Sequence, residues 1–188
     1  MPTPRSKHSG KYNGRLSRIW RRQGQIMRGD FRIGIGYDIH PLVKGRDLVL
    51  GGVLIENEAG LDGHSDADVL LHAISDALLG ALALGDLGEH FPGTEKYKDA
   101  SSILLLGKVF DMVTERGYRL VNVDCIVHAE YPPIAPYRKA MIEKISSVLD
   151  TEQDRVSVKA TSGEGLGPVG ENKAIAARAI ALLEKRNV

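Results

Sequence analysis

Residues 66–84, DADVLLHAISDALLGALAL, place apolar side chains at Val69, Leu70, Ala73, Ile74, Ala77, Leu78 and Ala81, the spacing of an amphipathic helix. Ser65 or Asp66 stands where an N-cap would accept the first free backbone N–H groups. Upstream, residues 31–40, FRIGIGYDIH, alternate apolar with small or polar residues at period two, the pattern of a half-buried strand. Leu48–Leu50 and Val53–Ile55 flank Gly51-Gly52 and predict a second strand or hairpin. Further on, Ser101–Arg116 reads as a helix stopped by Gly117, Val121–Val127 as a buried strand, Pro136–Leu149 as a helix, Arg155–Ala160 as a strand and Asn172–Lys185 as a terminal helix. Strands alternating with helices predict an α/β fold of the α+β sandwich kind: a small mixed four-stranded sheet with helices on one face, plus a short β-hairpin.

At 188 residues the chain has the length of one domain with a sizeable core. Hydrophobic residues at 43% and charged residues at 26% exclude the disordered and collagen-like classes. The apolar runs, such as Ile103–Leu106, are far too short to span a bilayer, so no membrane role is expected. The single cysteine, Cys125, excludes a disulfide scaffold and suggests a reducing compartment; its expected place is a buried strand.

Charge is unevenly spread. Residues 1–30 hold eight Lys/Arg against one acid, whereas residues 31–188 hold seventeen against twenty-three. An acidic body is a poor nucleic-acid binder, so no nucleic-acid partner is expected. Residues 1–30 read as a basic, disordered arm and residues 31–188 as a single domain. For the arm a solvated tail is the preferred explanation, beside an organelle-targeting peptide and a start codon upstream of a true start at Met27. The expected location is the cytoplasm, or an organelle such as a plastid if the arm is a targeting peptide.

Asp38 and His40, two residues apart on the first strand, project from one face, opposite Ile33, Ile35 and Ile39. Gly34 and Gly36 share the polar face and would leave room there for a ligand. A carboxylate with an imidazole is a zinc-type donor set, although such a short pair alone is more often a surface Asp beside a hydrogen-bonded His. On the helix of residues 66–84, Asp68, His72 and Asp76 form one polar stripe at i, i+4, i+8. His72, with an acid a turn above and below, suits metal binding with an oriented ring. Two histidines and one carboxylate would leave a tetrahedral zinc with one open position. Asp68 is equally well explained as charge favoured by the helix dipole.

Four stretches in order, GYDIH, GHSDADVLLHAISDALLGALALGD, HFPGTE and VKATSGEGLG, resemble the 2-C-methyl-D-erythritol 2,4-cyclodiphosphate synthases of the non-mevalonate isoprenoid pathway, from about Phe31 to the C-terminus. The resemblance implies a homotrimer with sheets packed around the threefold axis and active sites between subunits. It implies Zn2+ on Asp38, His40 and His72, and a second divalent ion, Mg2+ or Mn2+, on Glu164. His64 would stabilise the transition state and, with Ser65, contact substrate phosphate; Ser162 would supply a second stabilising hydroxyl. Asp86, Leu87 and Gly88 with Phe91, Pro92, Gly93, Thr94 and Glu95 would hold the methylerythritol part. Ala129, Glu130, Tyr131, Pro132, Pro133, Ile134 and Ala135 would take the cytosine and nucleotide phosphates, and Thr161, Ser162, Gly163 and Glu164 would line the same substrate, with Asp38 and His40 beside it.

The implied reaction cyclises 4-diphosphocytidyl-2-C-methyl-D-erythritol 2-phosphate to the 2,4-cyclodiphosphate and releases CMP. A zinc phosphohydrolase on the same residues and a non-catalytic trimeric binding protein are the alternatives. The chain departs from the family where it has Gly93 for Asp, Pro133 for Lys, and Pro168 and Glu171 for an aromatic and an Arg. Pro133 costs a cation near the nucleotide, so weaker binding of the CDP moiety is expected, and Gly93 removes one polar contact. Lys159 reads equally as a phosphate donor or as the partner of a carboxylate.

Overall fold

A computed structural model describes residues 30–94 and 100–186. The basic arm short of Asp30, and Glu95, therefore lie outside the described residues. The elements run β1 (Phe31–Lys44), β2 (Leu48–Leu50), β3 (Val53–Ile55), β4 (Ala59–Leu61), α1 (Val69–Ala81), α2 (Leu87–His90), α3 (Ser102–Glu115), β5 (Tyr118–His128), α4 (Arg138–Val148), β6 (Val156–Thr161), α5 (Gly167–Gly170) and β7 (Ala174–Lys185). The main sheet is mixed and has the order β4-β1-β7-β5-β6, with β5 and β6 parallel and the other pairs antiparallel. Strands β2 and β3 form a separate hairpin turned by Gly51 and Gly52, both at positive φ as such a two-residue turn requires.

Two expectations about the sheet are corrected. The sheet has five strands, not four, and the segment expected as a terminal helix is β7, its central strand. The run AIAARAIALLEK is rich in alanine, the best helix former, so its local preference pointed the wrong way. Tertiary packing overrides it: Ala177, Ala179 and Ala181 alternate on one face, fully buried beneath α1.

Helix α1 is shorter than predicted, because Ala67 and Ala83 both take positive φ and interrupt it at each end. Its N-cap is Asp68 rather than Ser65 or Asp66, accepting from the N–H groups of Leu70 and Leu71 at 3.1 Å each. Asp68 also accepts from Gly51 and Gly52 at 3.0 and 2.7 Å, which ties the hairpin to the helix start. Leu70, Leu71, Ile74, Leu78 and Leu79 are fully buried, each contributing roughly 2 kcal/mol of transfer free energy.

The two faces of β1 are used differently from the expectation. Gly34 and Gly36 do not open room for a ligand; they admit the helix. A Cβ on Gly34 would lie 2.0 Å from the Ala77 carbonyl oxygen, and one on Gly36 would lie 1.9 Å from that of Ala73. The opposite row, Phe31, Ile33, Ile35, Tyr37 and Ile39, faces outward, with Ile33 70% and Ile35 68% exposed, and Ile180 of β7 continues it. Helices α1, α3 and α4 lie on its other side, whereas the short α5 lines a pocket with Tyr37 and Arg178 on the outward side. Among the described residues no helix is long and apolar enough to cross a membrane.

Candidate metal centre and the two halves of the site

The close approach of β1 to α1 sets Asp38 and His40 against His72. Asp38 Oδ2 is 2.8 Å from His72 Nδ1 and 3.1 Å from His40 Nε2, and the two rings meet edge to face with centroids 5.5 Å apart. One ligand atom from each residue lies within 4.8 Å of the other two. His40 Nδ1 is 2.6 Å from the Asp62 carbonyl oxygen, which only accepts, so that nitrogen carries a proton and Nε2 is left for a proton or a metal. Behind His72, Nε2 is 2.9 Å from Ser102 Oγ and 3.2 Å from Ser65 Oγ.

Burial alone would raise the Asp38 carboxyl, but hydrogen bonds from His40 and His72 outweigh it and hold Asp38 well below the usual carboxylate range. The same bond raises the pKa of His40 against the opposing effect of burial. An ionised carboxylate between two imidazoles, each held by its far nitrogen, has the donor chemistry of a zinc site. The two distances from Asp38 Oδ2, 2.8 and 3.1 Å, are close to the roughly 3.3 Å that separates donors around a tetrahedral ion with ligand distances of about 2.0–2.1 Å.

The polar stripe on α1 divides. His72 joins the centre, whereas Asp68 caps its own helix and Asp76 accepts from the Leu87 N–H at 2.8 Å, which anchors α2. Asp86 caps α2 by accepting from Glu89 N–H at 3.0 Å. His64 turns toward residues 91–94, where a Cβ on Gly93 would lie 3.0 Å from its Cδ2; glycine lets this ring rest against the backbone. Arg46, which the sequence did not single out, donates to Asp62 Oδ1 at 2.9 Å and to the carbonyls of Gly63 and Ser65 at 3.3 and 3.2 Å. It braces the loop carrying His64 and Ser65.

The remaining candidates gather elsewhere, past the parallel ends of β5 and β6. Ala129 N–H donates to the Thr161 carbonyl at 3.0 Å, and Gly163 N–H donates to the Glu130 carboxylate at 3.0 Å, which holds residues 129–135 beside residues 161–164. The Ser162 hydroxyl donates to Glu164 at 2.5 Å, and Glu164 sits at φ +52°. Lys159 pairs with Asp124 at 2.5 Å, so the carboxylate explanation of this lysine holds. Glu171 pairs with Lys173 at 2.6 Å, both exposed.

These two groups of residues share one end of the sheet, since His40 pairs with Ile175 and His128 with Ala176. They are not adjacent within one chain. Strands β7 and β5 stand between β1 and β6, a separation of about 14 Å at the usual strand spacing. Sequence reasoning missed Asp62, Asp66, Ser102 and Arg46; Asp66 alone had a signal, lying inside the GHSDAD stretch.

Comparison with known proteins agrees with this fold. Residues 31–184 match the YgbB family. A 2-C-methyl-D-erythritol 2,4-cyclodiphosphate synthase from Gloeobacter violaceus is 56% identical over 157 residues, 83% of this chain and 96% of the relative. One from a Geobacillus species is 53% identical over 157 residues, 83% of this chain and 99% of the relative. Among solved structures, the Plasmodium falciparum IspF in complex with CDP superposes with a TM-score of 0.75 at 39% identity, covering 84% of this chain and 97% of that one. The bifunctional IspDF of Campylobacter jejuni gives 0.82 at 39% identity, covering 85% of this chain and 43% of that one.

Proposed function

This chain belongs to the YgbB family of 2-C-methyl-D-erythritol 2,4-cyclodiphosphate synthases, and from that premise we propose how its residues carry the family reaction. It is a lyase of isoprenoid precursor synthesis that cyclises 4-diphosphocytidyl-2-C-methyl-D-erythritol 2-phosphate and releases CMP. The observation that carries the reading is the Asp38, His40 and His72 cluster within a family match over residues 31–184.

An oxygen of the 2-phosphate attacks the β-phosphorus; the bond from that phosphorus to the oxygen bridging it to the α-phosphorus breaks, and CMP leaves with that oxygen. No side-chain nucleophile is required, because the attacking group is already an anion. The protein's task is to bring two anions together and neutralise them. Asp38, His40 and His72 would hold Zn2+, which when bound supplies Lewis-acid stabilisation of phosphate oxygen. His64 and Ser65 donate to the phosphates from the loop that Arg46 braces. Asp86–Gly88 and Phe91–Glu95 grip the methylerythritol part. Ala129–Ala135 receive the cytosine and nucleotide phosphates largely through backbone groups, with Thr161 and Gly163 lining the same edge. The Ser162 hydroxyl donates to the transition state, and Glu164 would hold a second divalent ion, Mg2+ or Mn2+.

Two observations support a homotrimer with its sites between subunits. The metal centre and the nucleotide loop are about 14 Å apart across one sheet, so a neighbouring copy is needed to supply the second half. The outward row Phe31, Ile33, Ile35, Tyr37 and Ile39 would be covered when sheets pack around a threefold axis. We place the catalytic domain at residues 31–188 and the arm outside it, and a cytoplasmic setting suits the lone buried thiol.

Incubation with the CDP-linked substrate tests the reading: CMP together with the cyclic diphosphate is expected. Inorganic phosphate instead would show a hydrolase, and no turnover would show a binding protein.

A further inference from the structure

His72 is held from behind by two residues outside the expected ligand and substrate sets. Its Nε2 lies 2.9 Å from Ser102 Oγ. The Ser102 hydroxyl donates to Asp66 Oδ1 through a short bond, and the Ser102 backbone N–H donates to Asp66 Oδ2 at 3.0 Å. A hydroxyl has one proton. Since Asp66 takes it, Ser102 Oγ faces His72 as an acceptor, and His72 Nε2 must carry the hydrogen. In the neutral ring that ligates a metal the lone pair is then on Nδ1, the nitrogen that points to Asp38 and His40 and that donates to Asp38 when no metal is bound. Ser65 Oγ, at 3.2 Å and already accepting from Ala67 N–H, is the weaker of the two acceptors.

We propose that Asp66 and Ser102 are positioning residues for the metal centre: a carboxylate acting through a hydroxyl fixes the tautomer and the ring plane of His72. The inference rests on the reading of Asp38, His40 and His72 as metal ligands. Ser102 is 1% exposed, and a buried hydroxyl needs partners on both its donor and acceptor sides. The arrangement provides both. It also ties the first residue of α3 to the loop that enters the helix carrying His72, across 36 positions of sequence. On the other histidine the same task falls to a backbone carbonyl, that of Asp62. The two ligand imidazoles are thus held by different means, and only His72 depends on side chains that substitution can remove.

Zinc affinity by competition with a chromophoric chelator, and the visible spectrum of the Co2+-substituted protein, test this without reference to turnover. Ser102→Ala keeps the backbone N–H bond to Asp66 and so spares the start of α3. It is expected to weaken zinc binding roughly 10–100-fold and to shift the Co2+ bands, while the unfolding midpoint of the metal-free protein stays close to wild type. Asp66→Asn should weaken zinc similarly. The double variant should bind no more weakly than Ser102→Ala alone, because Asp66 acts through the hydroxyl. Zinc affinity within twofold of wild type and an unaltered Co2+ spectrum in Ser102→Ala would overturn the proposal. So would additive losses, or a larger loss in Ser65→Ala. A wild-type protein that binds no zinc, or binds it equally well as His72→Ala, would overturn the reading of the centre itself and this inference with it.

Discussion

At the scale of single residues, the same kind of side chain serves opposite ends according to what surrounds it. Asp38 and Asp68 are both aspartates against α1. Asp38 meets two imidazoles and is held ionised, whereas Asp68 is fully buried and meets four backbone N–H groups. His72 contributes a third of the donor set, so His72→Ala should lose zinc and turnover together; elemental analysis that finds stoichiometric zinc in this variant would contradict the ligand assignment. For Asp68, burial raises the pKa from 3.8 to about 6, with the Gly52, Leu71 and Gly51 N–H groups opposing. The folded protein therefore keeps a proton that the unfolded chain releases above its ordinary value. The stability this group contributes is greatest below that value, falls as pH rises from 3.8 to about 6, and is level above. Asp68→Asn leaves Gly52 N–H facing an amide NH2 and should cost on the order of 2 kcal/mol at neutral pH. Urea unfolding at pH 4.5 and pH 7 should give a wider gap between wild type and variant at the lower pH; a gap that widens toward pH 7 would be the opposite of this account.

At the scale of elements, the decisive contact is β1 against α1, and two glycines make it. Gly36→Ala would drive a methyl group into the Ala73 carbonyl, and the resulting displacement of strand from helix should cost about 3 kcal/mol. Gly80, an exposed position of α1, has only the Ile35 carbonyl oxygen, 3.8 Å away, near a new Cβ. Gly80→Ala should leave stability unchanged or raise it by up to about 1 kcal/mol, through helix propensity alone. Equal destabilisation by the two substitutions, measured by denaturant midpoints, would mean that close approach is not why β1 carries glycine. The strand pattern of residues 31–40 was legible because alternation is a local signal. Its use was not: alternation says that one face differs from the other, and only the partner on each side says which is inside.

At the scale of the molecule, a single chain exposes an apolar sheet face and separates its candidate residues into two groups. Both features would be met by the proposed arrangement of three copies around an axis. Ile35 is 68% exposed in the isolated chain, so Ile35→Glu should leave the protomer folded and yet dissociate the assembly, because three carboxylates would be buried together. Sedimentation should show a monomer with little turnover; a trimer of undiminished activity would place the interface elsewhere. The basic arm lies ahead of the family match, which starts at residue 31, and a chain starting at Met27 should keep both its oligomeric state and its turnover. Loss of either on truncation would assign the arm a structural part.

The sequence by itself determined the elements with a clear period, the placing of Asp38 and His40 on one face of a strand and the polar stripe containing His72, because these follow from backbone geometry within a few residues. Its ordered motifs also carried the family resemblance. The tertiary structure alone decided that AIAARAIALLEK is the central strand, since alanine favours a helix in isolation and only burial between β1 and β5 under α1 selects the extended form. It alone decided that Asp68 and Asp76 turn away from His72 while Asp66 and Ser102 stand behind it. Hydrogen bonds between segments dozens of residues apart leave no period in the sequence, and a side chain's partner is fixed only when the chain has brought both groups to the same place.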